Sequence, residues 1–282
     1  MPSAEQKLDL FILTRFSVLS EQRRHSWGIF GKRSRWLSKI LPPVPPPDLA
    51  KKRAYLFDET RLRYRFWTFE TFLLPSLANQ DDNRFRHIVF VAEALPDWGK
   101  ARLAELQTRF NFETVYVDIH VKYDDALQRH VPECQSGTTH SATMRIDDDD
   151  ALGRTIVAEL HGLAYEQEDQ VATWPKGIYL TDRGKGNYTI RRIDRAFRAC
   201  GLTRIRCSTR PTPTIHSAGN HKKIARNLPV LTLPGEDKFL MTVHPDNVSG
   251  RKVQRGDAKL TDADKADLLR EFGIDLSKQV KD

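Results

Sequence analysis

ATMRIDDDDALGR, residues 142–154, places four consecutive aspartates directly behind a short apolar stretch. An apolar run of this length is what a strand buried on both faces of a parallel sheet looks like, and ligands bind at the carboxyl ends of such strands. Adjacent carboxylates repel one another, so a protein that keeps four of them together needs a counter-charge. A hard divalent cation with oxygen ligands, Mn2+ or Mg2+, is the natural one. On an extended segment the first and third side chains of D-x-D point the same way, which selects Asp147 and Asp149 as the metal pair, with Asp148 between them. The competing reading is a solvated loop or a helix N-terminus, where negative charge favours the dipole and Asp149 or Asp150 caps the next helix. An EF-hand does not fit, because the glycine and the distant glutamate of that loop are missing.

Outward from this strand the pattern alternates. Residues 8–14 are an apolar run of strand length, ending in the polar turn Thr14-Arg15-Phe16-Ser17. Residues 59–78 carry Leu62, Phe66, Phe69, Leu73 and Leu77 on one helical face. Residues 87–92 form a second strand closed by Glu93, Asp97 caps a helix, and residues 114–119 form a third strand. Residues 142–146 are the fourth strand, and 152–163 read as helix again. The order predicts an α/β fold with a Rossmann-type, mostly parallel central sheet flanked by helices. The second half is expected to be smaller and mixed, with strands near 177–182, 187–193 and 238–243 and a helix near 217–226. DRGKGNY (182–188) lacks the Walker pattern and reads as a hairpin turn. Thr261 opens a last amphipathic helix that stops at Gly273. In this layout Arg15, Glu93 and the aspartates all fall at carboxyl ends of strands.

The 282 residues, 39% hydrophobic, suffice for one elaborated domain. No stretch has the length of a transmembrane span, and the N-terminus shows no signal-peptide pattern. Cys134, Cys200 and Cys207 are odd in number and unpaired in spacing, which predicts reduced thiols and a cytoplasmic protein. The net charge of +8 suits nucleic acid, a phospholipid surface or a nucleotide diphosphate equally. Zinc-finger spacing, basic-zipper heptads and aromatic-rich RNA-binding signatures are missing, so no nucleic-acid partner is expected. His216 and His221 are too far apart for one helical face, and zinc is not expected there. Residues 27–41, WGIFGKRSRWLSKIL, form a basic amphipathic pattern, and PPVPPP (42–47) is an extended polyproline-type segment. Such a helix can lie on an anionic membrane, which would put the protein at the inner face of the cytoplasmic membrane; it can equally be a lid or pack on the domain.

The stretches TRFSV (14–18), RFWTFETFLLPSLANQ (65–80), FRHIVFVAEALP (85–96), MRIDDDDAL (144–152) and FLMTVHPDNVSGR (239–251) resemble the bacterial rhamnosyltransferase family, glycosyltransferases with a GT-A-like fold and a D-x-D motif. PSL-x-x-Q and R-x-D-x-D-D-A-L are its most specific elements. The resemblance implies a glycosyltransferase domain over residues 1–252, with 19–58 as an insertion and 253–282 as a helical tail outside the family pattern. It implies metal-dependent transfer of a sugar from a nucleotide diphosphate donor to a glycan, lipid-linked or protein acceptor. Asp147 and Asp149 match the metal- and diphosphate-binding pair, with Asp150 supporting them from the helix start. Thr14 and Arg15 would lie near the nucleotide, Glu93 near base or ribose, and Arg145 near the diphosphate. His244, beside Asn247, matches a late metal ligand, although a lone histidine is more often structural. Glu236 and Asp237, in PGEDKF, resemble the acidic pair from which an inverting enzyme draws its base. A polar turn after Pro234-Gly235 is the plainer reading of those two, and a retaining mechanism does not require such a base. Two rivals use the same residues differently. One is a metal-dependent phosphodiesterase or nuclease, and the other a basic membrane- or nucleic-acid-binding protein in which DDDD is a solvated cap.

Overall fold

The structure is a computed structural model that describes residues 7–18, 49–165, 167–184, 187–244 and 257–278. The basic pattern at 27–41, the polyproline segment 42–47 and Asn247 lie outside the described residues. In chain order the first elements are β1 (Leu8–Phe16), α1 (Leu49–Leu56), α2 (Glu59–Thr68), a π-helical turn (Phe69–Leu73), α3 (Leu74–Ala78), β2 (Arg86–Ala92), α4 (Asp97–Gln107), β3 (Glu113–Val117) and α5 (Tyr123–His130). They are followed by β4 (His140–Asp147), β5 (Ala151–Leu152), α6 (Ile156–His161), β6 (Asp169–Thr173), β7 (Lys176–Asp182), β8 (Tyr188–Asp194) and β9 (Leu202–Arg206). The last are β10 (Val230–Thr232), β11 (Phe239–Val243), β12 (Ala258–Lys259) and α7 (Asp262–Phe272).

Seven strands make one sheet in the order β10-β6-β9-β4-β1-β2-β3. β1 runs parallel to β2 and β4, β2 to β3, and β6 to β10, while β9 alone runs antiparallel to its neighbours β4 and β6. The predicted α/β class and mostly parallel sheet are borne out. β1 explains its own composition: Leu10, Ile12 and Phe16 enter one hydrophobic cluster and Phe11 and Leu13 another, so both faces are covered and no polar alternation is needed. A second, five-stranded mixed sheet, β12-β8-β7-β11-β5, carries the smaller C-terminal part. β7 and β8 pair antiparallel from Asp182↔Tyr188 inward, as the hairpin the sequence suggested requires.

Pro75 shapes the long helical segment between β1 and β2. A proline inside a helix has no N–H and its ring meets the carbonyl four residues back, here that of Thr71. The chain answers with the π-turn at Phe69–Leu73, in which the Leu74 N–H reaches back to the Phe69 carbonyl. Phe69, Phe72 and Leu73 stay buried through the turn, so the predicted apolar face survives the change of pitch.

Several elements differ from expectation. The helix read over 152–163 shortens to α6, because Ala151 and Leu152 pair with Leu240 and Phe239 of β11. Residues 217–226 are not one helix but two 3-10 turns, Ile215–Ala218 and His221–Arg226, interrupted at Gly219 where φ is 90°. Asp97 is the first residue of α4 and not its cap, a role taken by Pro96 without a side-chain bond. The elements α1, α5, β6, β9, β10 and β12 are additional to the expected order, each no longer than eight residues. α7 begins in a full capping box between Thr261 and Asp264 and ends at Gly273 in the left-handed region. Set apart as a tail by its sequence, it buries Leu268 and Phe272 against Phe72, Leu180 and Leu240. All three cysteines are free thiols. Among the described residues no helix is long and apolar enough to cross a membrane.

Candidate active site

β4 delivers the aspartates to the carboxyl edge of the seven-stranded sheet and then stops. Asp147 is its last residue, and a turn closes with the Asp150 N–H on the Asp147 carbonyl at 3.2 Å. The expectation that Asp147 and Asp149 project together from an extended strand is therefore corrected: Asp148 and Asp149 occupy the turn, and the four carboxylates enter four different environments. Asp150 is not at a helix start either. It lies between β4 and β5, where its buried carboxylate accepts the Thr242 N–H of β11 at 3.2 Å.

Asp147 faces cations. Arg145 Nη2 donates to its two oxygens at 3.2 and 3.3 Å, and Arg15 stands opposite it in the β1–β4 register. Burial works to raise this carboxyl, but Arg145 and Arg15 outweigh it and hold it down at about 2. Asp148 is 1% exposed and paired with Arg65 of α2. Burial pushes its carboxyl up to about 6, with the negative neighbours Asp149 and Asp147 adding to the rise and Arg65 opposing it. Asp149 Oδ2 accepts from His244 Nε2 at 2.9 Å. The His244 ring sits 5.1 Å from that of Tyr64, whose hydroxyl donates to Asp182 at 3.0 Å.

The two most specific sequence elements meet here. Ser76 Oγ accepts the Leu152 N–H at 3.2 Å. Gln80 Nε2 donates to the Gly153 carbonyl at 3.0 Å, and Gln80 Oε1 accepts the Val157 N–H at 3.3 Å. PSL-x-x-Q is thus a clamp on the backbone just past the aspartates, satisfying groups that the short β5 leaves unpaired.

Along the rim, Thr14 is fully buried and its Oγ1 lies 3.0 Å from His87 Nε2. Burial pushes the His87 imidazole down to about 3, so this pair is neutral at ordinary pH. Arg15 is exposed beyond it, 5.8 Å over the Tyr123 ring, which in turn meets His216 edge-on at 5.3 Å. Glu93 follows β2, exposed, with its N–H on the Val117 carbonyl at 2.9 Å. Arg65, Tyr64, Tyr123 and His216 were not singled out as site residues from sequence. Only their partners mark them, and those are remote in the chain.

Glu236 and Asp237 do not join this group. They precede β11, whereas His244 follows it, and seven residues of extended chain span roughly 20 Å. Glu236 is ion-paired with Lys176, and Asp237, at φ 48°, with Arg192 at 3.1 Å.

In donor chemistry the site suits a divalent ion: the carboxylates of Asp147 and Asp149, the His244 imidazole, and Asp148 Oδ2, a buried oxygen with no hydrogen-bond partner. As placed, Asp147 is turned to Arg145 and Asp149 to His244, and among the described residues no three His, Cys, Asp or Glu side chains are gathered as a ready metal set.

The family model described as "Putative rhamnosyl transferase" matches residues 10–256. The chain belongs to this family. The resemblance carried by the five motifs is borne out, and the chain is a member of a glycosyltransferase family. No curated protein matches it. Among solved structures the chain is similar to residues 1–349 of S. aureus TarS in complex with UDP, at 11% identity and a TM-score of 0.40, covering 85% of this chain and 61% of that one. A "putative nucleotide-diphospho-sugar transferase" from Desulfovibrio desulfuricans G20 aligns at 10% identity and a TM-score of 0.34, covering 85% of this chain and 81% of that one. The chain spans only 23% of the longer TarS chain, at a TM-score of 0.31. Likeness this loose carries no argument about the site, and the family assignment rests on the family match.

Proposed function

We propose that the protein transfers a sugar from a nucleotide diphosphate donor, with Mn2+ or Mg2+ held at Asp147 and Asp149, to a glycan, lipid-linked or protein acceptor. The observation that carries this reading is the 2.9 Å contact between Asp149, in the turn after β4, and His244, just past β11. It joins the last two motifs of the family pattern at the carboxyl edge of a mostly parallel sheet, where such folds bind nucleotides. Arg15 and Glu93, at the ends of β1 and β2, are the exposed groups on which the nucleotide would rest, while Thr14, expected there from the sequence, is sealed beneath them against His87. Arg15 and Arg145 bring positive charge beside Asp147 and would neutralise phosphate oxygens. A bound metal ion would act as a Lewis acid on the departing diphosphate. Asp148, fixed by Arg65, and Asp150, fixed by Thr242, hold the turn and leave Asp147 and Asp149 to the ligands.

Calorimetric titration of UDP, GDP, dTDP and CMP, with and without Mn2+, on wild type and Asp149→Ala tests this. Metal-dependent binding of one nucleotide diphosphate, lost in the variant, is expected. Binding of none under either condition would defeat the donor assignment. The basic pattern at 27–41 would add a peripheral contact with anionic membrane. Deleting it should then abolish sedimentation with acidic vesicles and spare donor binding, and unchanged sedimentation would end that idea.

A further inference from the structure

β7 and β11 run parallel, paired from Leu240↔Ile178 to Val243↔Thr181. One residue further along each strand the register sets His244 beside Asp182, and neighbouring strands stand about 5 Å apart. β7 therefore delivers a carboxylate to the edge where His244 meets Asp149. Helix α2 reaches the same edge with two consecutive residues. Arg65 pairs with Asp148 in the aspartate turn, and the Tyr64 hydroxyl donates to Asp182 Oδ2 at 3.0 Å. The Tyr64 ring stands 5.1 Å from that of His244, so one side chain bridges His244 and Asp182.

Asp182 differs from the other acids of this edge in what holds it. Asp147 faces Arg145, Asp148 faces Arg65 and Asp149 faces His244. Asp182 Oδ2 accepts the Tyr64 hydroxyl, and Oδ1 accepts the Gly184 N–H at 2.7 Å. Among the described residues no cation is ion-paired with Asp182, and Arg183, its neighbour in sequence, turns to Asp257 and Thr189. A carboxylate oxygen has two lone pairs, and each oxygen here has engaged one. The side chain is half-buried, which fixes it without sealing it off. A general base at a hydroxyl needs an oriented carboxylate with a lone pair to spare and no cation competing for it. Glu236 and Asp237, expected to supply a base, precede β11 and stand at the far end of the same sheet.

We propose that Asp182 is the general base that takes the proton of the acceptor hydroxyl, and that Tyr64 positions it. The inference rests on the transferase reading and deepens it by committing the enzyme to inversion. The acceptor oxygen bonds to the anomeric carbon of the donor sugar while its proton passes to Asp182. The bond from that carbon to the diphosphate oxygen breaks, and its electron pair leaves with the diphosphate. Asp182 belongs to the five-stranded sheet, whereas Arg15 and Glu93 stand at ends of strands in the seven-stranded one. Base and nucleotide thus come to the aspartates from different sheets.

Water can take the place of the acceptor, so hydrolysis of the donor is the test. UDP-glucose, UDP-N-acetylglucosamine, GDP-mannose and dTDP-rhamnose are incubated with Mn2+ and wild type, Asp182→Asn or Tyr64→Phe, and release of the nucleoside diphosphate is timed. Calorimetry of the free nucleotides runs in parallel, and thermal melts check folding. Wild type is expected to hydrolyse at least one donor, with the freed sugar first seen by proton NMR as the inverted anomer. Asp182→Asn should lower kcat roughly a hundredfold and keep nucleotide affinity within about twofold. Tyr64→Phe should lower kcat about tenfold with the donor's KM unchanged, as a residue acting through the base does. Retained configuration, or a fall in kcat of less than about tenfold for Asp182→Asn, overturns the proposal. A matching fall in nucleotide affinity overturns it too, by making Asp182 a donor-binding residue. Should Asp182→Asn not fold, Tyr64→Phe decides, and an unchanged kcat there overturns the proposal. Nucleotide binding by wild type without turnover of any donor also counts against it, since a base aimed at the acceptor position activates water as well. If no nucleotide binds, it is the transferase reading that fails.

Discussion

His244 Nε2 donates to Asp149 Oδ2 at 2.9 Å, although 95 residues separate the two in the chain. The contact pins the carboxyl end of β11 to the aspartate turn that follows β4 and so joins the two sheets at that edge. If the pair acts as a unit, Asp149→Asn and His244→Ala should be non-additive in nucleotide binding. A double-mutant cycle is expected to return a coupling of about 1–3 kcal/mol. Additivity within about 0.3 kcal/mol would show that the two side chains serve independently.

Gln80 is predicted to be a stability residue with an indirect effect on binding. Its amide satisfies the Gly153 carbonyl and the Val157 N–H, both on the segment that continues the aspartate turn. Gln80→Ala strands these groups and should cost about 1–3 kcal/mol, read from the urea midpoint. Nucleotide affinity, measured well below the unfolding transition, should fall by less than the loss seen for Asp149→Ala. A fall as large would move Gln80 into the binding machinery.

The aspartates make opposed contributions to stability against pH in the metal-free protein. The Asp148 carboxyl is raised to about 6 in the folded chain, chiefly by burial, so the folded state binds its proton more readily than the unfolded state does. Its contribution is full below the ordinary carboxylate range and is lost as pH rises through about 6, amounting to roughly 3 kcal/mol. Asp147, held at about 2, does the reverse and stabilises above the ordinary range, with the loss coming as pH falls toward 2. Asp148→Asn should therefore remove the decline in stability between about pH 4 and 6, as followed by chemical unfolding at several pH values. A decline left intact would mean that Arg65 compensates Asp148 fully.

Two glycines should respond in opposite directions to alanine. A Cβ at Gly177 would stand 2.6 Å from both the Phe239 carbonyl oxygen and its ring, where β7 and β11 run side by side. Gly177→Ala is expected to destabilise by about 3 kcal/mol or to prevent folding. At Gly162, the C-cap of α6, φ is −85° and the nearest atom, the Ala158 carbonyl oxygen, would be 3.4 Å away. Gly162→Ala should be neutral or raise stability by up to about 1 kcal/mol through the unfolded state. Thermal midpoints of the two variants check both at once.

The sequence by itself determined what chain-local physics can determine. The unbroken apolar cores at 10–13 and 88–92 announce strands covered on both faces, and in the structure they are the adjacent β1 and β2. The capping box at Thr261 and Asp264 with Gly273 fixes the limits of α7, because a helix end is satisfied by residues within one turn of it. The motifs also sufficed for the family, since MRIDDDDAL and PSLANQ are specific as strings.

What those strings do was decided only by tertiary structure. Four identical aspartates carry no local signal that tells one from another. Arg145 and Arg15, Arg65, His244 and the Thr242 backbone give each a separate role, and all but Arg145 come from elsewhere in the chain. Asp237 and His244 are seven residues apart, yet an intervening strand sends them to opposite ends of the sheet. Tyr179, Arg191, Arg198 and Val243 come from β7, β8, the loop before β9 and β11, and line one cavity only because the fold brings those elements together. Electrostatic surroundings and backbone satisfaction are sums over neighbours in space, and the chain specifies those neighbours only once it has folded.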